Sequence, residues 1–440
     1  MTGVVNHLQQ HWLDGVFAPV ADELEVADLA VTGAIPPALR GAYVRTGPNP
    51  RFEPIGRYHI FDGDGMLHAV TLADGRASYR NRWIRSKALV AEERAGRAIY
   101  GGMFELVFPS PEEVGDAGAM KNTGNTHVVR HAGQIYALME AAKPIRIADD
   151  LSTLDEYDFD GALRGSFTAH PKFDPETGEM LFFGYVPSLT YHVVDATGRL
   201  VRSEPIATPR PTMMHDFVTT RDHVVFLDAP AVMDFGRYLE GGPLASWQPE
   251  HGTRIGVMPR DGGSADVRWF EMDSTWVAHF LNAFEEGGRI VVDGCAMDEF
   301  NFGFDLDAGA DPVPTVLVRV EPDGTVRVAA EDLAFPNGSV ITPDGRTLIV
   351  GETFAGRLSA WTITEDGSLT DRRVWAQLEG AVPDGICLDA DGAIWVACPI
   401  SGRVLRVLEG GEITDVVTVR SEEHTSELQS HHDLVCRLLL

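Results

Sequence analysis

The stretch Thr342-Pro343-Asp344-Gly345-Arg346-Thr347-Leu348-Ile349-Val350 sets a tight turn directly before an apolar, β-branched run of strand length. Glycine supplies the positive φ such a turn needs, and the aspartate bonds its own backbone nearby. The same grammar recurs at Asp323-Gly324, Asp366-Gly367 and Asp391-Gly392, so that the four turns stand 21, 22 and 25 residues apart. Two such steps make roughly one four-stranded blade of about 40–50 residues. Earlier in the chain, Thr177-Gly178 and Thr197-Gly198 punctuate in the same way, and Val224-Val225-Phe226-Leu227 and Arg289-Ile290-Val291-Val292 are further strand-length runs. Helical patterning is thin. The pattern predicts an all-β fold, a β-propeller.

Bulk properties narrow the function. The chain has 440 residues, 44% of them hydrophobic, enough to bury a large core, and repeats around one axis replace the usual division into globular domains. A formal charge of −29 works against nucleic-acid binding, which needs clustered Lys and Arg. No apolar run reaches the roughly 18 residues of a transmembrane segment, so peripheral contact is the only membrane association left open. Residues 1–20 carry His, Asp and Pro where a secretory signal has a basic flank and an apolar segment. Cys295, Cys387, Cys398 and Cys436 show no CxxC spacing and read as reduced thiols, so a cytoplasmic location is expected.

Two changes of character divide the chain. The acidic, turn-rich stretch Asp305-Leu306-Asp307-Ala308-Gly309-Ala310-Asp311-Pro312 precedes a more regular repeat, and strand alternation stops again at Arg420. The expected organisation is residues 1–312, 313–419 and a tail at 420–440.

Chemistry concentrates in the first part. Thr168-Ala169-His170-Pro171-Lys172, Met213-Met214-His215-Asp216-Phe217 and Val277-Ala278-His279-Phe280-Leu281-Asn282-Ala283-Phe284-Glu285 each present a histidine. Neutral imidazole is a common ligand for iron, copper, nickel and zinc. The separations of 45 and 64 residues are too long for a local ligand loop and suit ligands delivered by different blades to a shared axis. Residues 280–423 contain no further histidine.

Three further stretches stand out: Leu39-Arg40-Gly41-Ala42-Tyr43-Val44-Arg45-Thr46-Gly47-Pro48-Asn49-Pro50, Tyr58-His59-Ile60-Phe61-Asp62-Gly63-Asp64-Gly65-Met66-Leu67-His68, and Asn125-Thr126-His127-Val128-Val129 with Ala137-Leu138-Met139-Glu140. Through these and the three histidine contexts, residues 1–312 resemble the carotenoid cleavage oxygenases. The resemblance implies a seven-bladed propeller with a non-heme Fe2+ held by four histidines, of which His170, His215 and His279 are three. It also implies that Glu140 accepts the outer N–H of a ligand histidine, fixing the ring's tautomer and raising its basicity. The implied reaction is cleavage of a conjugated C=C bond by O2 into two carbonyl products, on an apolar polyene or a stilbene-type molecule. Stilbene-cleaving members carry a lysine just before the glutamate; Met139 stands here, which favours a polyene. With the fourth histidine missing, impaired activity is expected. Asp62 and Asp64 lack a third oxygen ligand at calcium-loop spacing and read as a tight turn.

Later in the chain stand Phe335-Pro336-Asn337-Gly338, Thr342-Pro343-Asp344-Gly345-Arg346-Thr347-Leu348, Gly351-Glu352-Thr353, Pro383-Asp384-Gly385-Ile386-Cys387-Leu388-Asp389 and Ala393-Ile394-Trp395-Val396-Ala397. Through them the chain from about residue 317 to 417 resembles a second family, the senescence marker protein/gluconolactonases, which are six-bladed metal-dependent lactonases. The resemblance implies that Asn337 and Asp384 hold Ca2+ or Mn2+, whose preferred donors are hard oxygens. Both residues also occupy turn sequences, where Asn-Gly and Asp-Gly occur for backbone reasons. A sugar lactonase and an inactive chimeric propeller are therefore the alternative functions. The run Arg420-Ser421-Glu422-Glu423-His424-Thr425-Ser426-Glu427-Leu428-Gln429-Ser430, with Asp433 to Leu440, resembles a translated sequencing adapter. On that reading His424, His431, His432 and Cys436 take no part in any site, and the chain fuses the front of an oxygenase to the rear of a lactonase.

Overall fold

The computed structural model describes residues 11–13, 17–31, 34–103, 107–240, 242–300, 315–320, 326–398, 401 and 403–418. The expected boundary at 312/313 and the tail at 420–440 lie outside the described residues, as does the Asp323-Gly324 turn. Two compact units are present, Ala21–Phe302 and Met1–Val20 with Gly303–Leu440.

The unit Ala21–Phe302 is a succession of antiparallel sheets. Strands β1 (Glu25–Val26), β2 (Gly41–Pro48), β3 (Gly65–Ala73) and β4 (Arg76–Trp83) form the first, in the order β1-β4-β3-β2. Helices α1 (Lys87–Ala95) and α2 (Pro111–Val114) follow. The second sheet is a meander of β5 (His127–His131), β6 (Gln134–Leu138), β7 (Ile145–Ile147) and β8 (Thr153–Glu156). The third joins β9 (Lys172–Phe173), β10 (Met180–Gly184), β11 (Thr190–Val194) and β12 (Leu200–Pro205) in sequence order. In the fourth, β13 (Val218–Thr219) and β14 (His223–Asp228) are separated in sequence from their sheet partners by an inserted hairpin. That hairpin is β15 (Ala231–Met233) with β16 (Ala245–Trp247), and α3 (Phe235–Leu239) lies between its strands. Strands β17 (Thr253–Pro259) and β18 (Arg268–Met272) complete the fourth sheet. The long pair β19 (Trp276–Glu286) and β20 (Arg289–Met297) ends the unit.

Sheet packing explains why β10 reads as an unbroken apolar run. Successive side chains of a strand point to opposite faces. Leu181 and Phe183 enter a core with Tyr191, Phe217, Phe226 and Trp276, while Met180 and Phe182 enter another with Tyr136, Leu138, Phe159 and Phe167. Phe167 and Phe182 stack with ring centroids 3.9 Å apart. A strand buried on both faces has no use for polar alternation. Full burial of each such aromatic contributes on the order of 2–3 kcal/mol. The sheet of β10 is thus a blade covered on both faces by its neighbours, the arrangement of a β-propeller.

The second unit repeats the meander. Its described strands are β21 (Thr315–Val320) with β22 (Val326–Leu333); then β23 (Pro336–Ile341), β24 (Thr347–Glu352), β25 (Arg357–Ile363) and β26 (Leu369–Gln377). A last sheet holds β27 (Ile386–Leu388), β28 (Ile394–Cys398), β29 (Arg403–Val407) and β30 (Ile413–Thr418). The opening stretch folds as read: Gly345 has φ +71°, Asp344 Oδ1 accepts from the Arg346 N–H at 3.0 Å, and β24 begins at Thr347.

Candidate metal centre

His170 lies just ahead of β9, His215 just ahead of β13, and His279 within β19, each at the margin of a different sheet of the Ala21–Phe302 unit. The structure brings all three together. Nε2 of His215 stands 3.1 Å from Nε2 of His170 and 3.2 Å from Nε2 of His279, and the three donor atoms fall within 4.8 Å of one another. Among the described residues this is the single group of three or more His, Cys, Asp or Glu side chains arranged to hold a metal ion.

Donors at right angles or at tetrahedral angles around an ion, each roughly 2.1 Å from it, lie roughly 3.0 to 3.4 Å apart. The two distances from His215, 3.1 and 3.2 Å, are of that size. Three nitrogen lone pairs converging on one point repel unless protons or a cation lie between them. The donor set therefore fits a first-row divalent metal, with the three Nε2 atoms as its ligands.

The electrostatics agree. Burial, reinforced by the neighbouring imidazoles, drives the His170 pKa far below the ordinary imidazole range, so its ring is neutral with a free lone pair. Burial and the nearby His215 bring His279 down to about 4. His215 differs: burial again opposes charge, but the Glu140 carboxylate overrides it and raises the pKa above 6.5. Glu140 lies two residues past the end of β6, and its Oε2 accepts from Nδ1 of His215, which turns Nε2 inward. The Tyr185 hydroxyl donates to the other carboxylate oxygen of Glu140.

The remaining histidines of the first unit have other partners. His68 Nδ1 meets the Tyr79 hydroxyl at 2.7 Å, His131 Nε2 meets the Asp195 carbonyl at 2.8 Å, and His127 Nδ1 meets the Ala169 carbonyl at 3.0 Å. Asp62 closes the short 3-10 turn Ile60–Asp62, accepting from the His59 N–H at 3.1 Å, and Asp64 pairs with Lys121 at 2.7 Å.

Sequence reasoning missed Asp216, Lys172 and Tyr185 as parts of this centre. The Asp216 side chain is 3% exposed and pairs with Lys172 at 2.7 Å. A charged residue beside His215, inside Met213-Met214-His215-Asp216-Phe217, was the available signal, because a carboxylate in an apolar run needs an internal partner.

Asn337 and Asp384 also meet, in the second unit: the Asn337 amide donates to Oδ1 of Asp384, whose residue is 2% exposed. Gly338 permits this approach, since a Cβ there would stand 2.3 Å from the Ile386 nitrogen. Glu352, also fully buried, is taken up by Arg357 and Arg372.

An all-β, propeller-type chain that converges imidazoles from separate sheets, one of them backed by a carboxylate, defines a metal-binding propeller. Residues 17–323 match the family described as retinal pigment epithelial membrane protein, and the chain belongs to that family, the carotenoid cleavage oxygenases. Residues 288–434 match a second profile, the SMP-30/gluconolactonase/LRE-like region. The chain is 38% identical over 322 residues to a carotenoid 9,10(9',10')-cleavage dioxygenase of Crocus sativus, covering 68% of this chain and 59% of that protein. It is 35% identical over 289 residues to an isoeugenol monooxygenase of Pseudomonas putida, covering 64% and 60%. The chain thus spans less than two thirds of either relative. The crystal structure of Pseudomonas brassicacearum lignostilbene dioxygenase superposes with a TM-score of 0.69 at 26% identity, over 95% of this chain and 94% of that one. No helix among the described residues is long and apolar enough to cross a membrane.

Proposed function

We propose that residues 1–312 carry the iron centre of an O2-dependent oxygenase that cleaves a conjugated C=C bond into two carbonyl products. The observation that carries this reading is the convergence of the Nε2 atoms of His170, His215 and His279 with Glu140 behind His215. These three imidazoles would hold Fe2+, which supplies the O2 chemistry when bound; Glu140 holds the His215 ring in the tautomer that presents Nε2. Three ligands bind a metal less tightly than the four of the family, and residues 280–423 supply no other histidine, so the activity of this chain is reduced. Met139, whose sulfur accepts from the Thr123 N–H at 3.2 Å, stands where a phenol-engaging lysine would lie, which favours an apolar polyene as substrate.

The test is reconstitution of the full chain with Fe2+, followed by metal counting and oxygen-dependent bleaching of an apocarotenoid. Sub-stoichiometric iron that falls further in His215→Ala, with slow bleaching that outpaces loss of a hydroxystilbene, supports the proposal. One firmly held iron per chain with fast turnover overturns the impairment, and iron content indifferent to His215→Ala overturns the site.

A second reading attaches to the other unit. The pair of half-buried Asn337 with buried Asp384, within the lactonase-type match, favours a Ca2+- or Mn2+-dependent sugar lactonase fragment. Lactone hydrolysis that requires Ca2+ or Mn2+ and disappears in Asp384→Ala is the expected sign; metal-independent or absent hydrolysis rules it out. The two family matches, which overlap at residues 288–323, also support a chimeric origin for the chain. Reading the locus from its source DNA in one long molecule tests this, and recovery of the junction intact rules out an assembly artefact.

A further inference from the structure

We propose that Asp216 is the positioning residue that gathers the three histidines before any metal arrives. This rests on the iron-site reading above and adds to it the device that sets the site's geometry. Histidines 45 and 64 residues apart, carried by separate sheets, have no local reason to converge. The Asp216 carboxylate connects all three segments. Its Oδ1 accepts from Lys172 Nζ at 2.7 Å, two residues after His170. The same oxygen accepts from the Phe217 N–H at 2.9 Å, which fixes the carboxylate against its own chain beside His215. Its Oδ2 accepts from the Phe280 N–H at 3.0 Å, one residue after His279.

The third contact coincides with an irregularity of the strand. Pairing of β19 with β20 shifts register between Val277 and Phe280 and again between Phe280 and Asn282. A bulge re-aims the side chains beside it, and here the re-aimed residue is His279. Asp216 receives the Phe280 N–H at that irregularity, so the bulge and the ligand direction are held by one buried carboxylate. Glu140 acts on a single ring; Asp216 acts on the segments that carry all three. Asparagine cannot replace it, because an amide has only one acceptor oxygen and its NH2 would face either the Lys172 ammonium or the Phe280 N–H, both donors.

The test uses the full chain and Co2+ as a spectroscopic probe, with hydrogen exchange of the metal-free protein. In Asp216→Asn, Co2+ affinity is expected to fall about tenfold or more with a changed visible absorption band. The thermal midpoint of unfolding falls as a buried charge pair is broken, and in the still-folded protein exchange is expected to accelerate most in peptides covering 168–173 or 277–285. Lys172→Met cuts only the His170 arm: exchange rises in 168–173 alone, and the Co2+ band changes. This second variant decides the matter if Asp216→Asn fails to fold. Wild-type affinity and band in the folded variants overturn the proposal while leaving the metal site standing. Failure of the wild-type chain itself to bind Co2+ overturns the iron-site reading and this inference together.

Discussion

Glu140 meets His215 through the ring nitrogen that faces away from the metal centre, so that Nε2 points at His170 and His279. The carboxylate does two things at once. It fixes the tautomer, and in the metal-free protein it favours the protonated ring. Glu140→Gln keeps the shape and removes the charge. The expected outcome is a loss of roughly 10- to 100-fold in Co2+ or Fe2+ affinity, measured by titration of the metal-free chain.

The raised pKa of His215 makes metal uptake pH-dependent, with a definite sign. A ligand imidazole must be deprotonated, so below the His215 pKa each metal bound displaces a proton. His170 and His279, whose pKa values are lowered, are already neutral there and release none. Affinity is therefore expected to climb about tenfold per pH unit below the His215 pKa and to level off above it. In Glu140→Gln the plateau begins at a lower pH. Calorimetry in buffers of different ionisation enthalpy counts the released proton directly; no release at pH 6 contradicts the assignment.

Tyr185 donates its hydroxyl proton to the second oxygen of Glu140 and is 8% exposed, in the core beneath β10. Tyr185→Phe leaves a half-buried carboxylate oxygen short of a donor, which destabilises the fold by about 1–2 kcal/mol. The freed carboxylate can reorient, so metal affinity falls as well, by less than in Glu140→Gln. Denaturant unfolding and the Co2+ titration measure the two effects separately.

Much of this was legible in the sequence, because propeller blades and their ligands announce themselves locally. Asp344-Gly345 and the run after it specify a turn and a strand through backbone chemistry alone, and β24 starts where the run does. The histidines stood out by their contexts. The resemblance set Glu140 behind a ligand histidine, and the structure shows that the ring is His215, 75 residues away. The other long-range pairings could not be read: Lys172 and Asp216 are 44 residues apart and Asp216 and Phe280 64, and no periodicity encodes which donor meets which carboxylate. Helix α1 was partly legible after all: Ser86 caps its start, accepting from the Leu89 N–H, and Gly96 ends it with φ +68°. Its buried Glu92 receives the Ile99 N–H and Lys121, partners that only the fold supplies.

Glu352 gives the second unit a pH response of its own. Burial alone would raise its pKa, but Arg357, Ser359 and the Ala334 N–H bring it down to about 2 from 4.5, and Arg372 pairs with the same carboxylate. A carboxylate whose folded pKa is depressed stabilises the fold above its unfolded pKa, and that contribution is lost as pH falls through the folded value. The window here runs from about 4.5 down to about 2. Glu352→Gln leaves two arginines facing a neutral, buried amide, so at pH 7 the second unit is expected to lose about 3 kcal/mol. Across the acid window both proteins lose stability as other carboxylates of depressed pKa, Asp366 and Asp389 among them, take up protons, but wild type loses more, and the two curves converge near pH 2. Urea unfolding at a series of pH values, followed by the fluorescence of Trp361 and Trp375, measures the difference; a constant gap down to pH 2 contradicts the assignment.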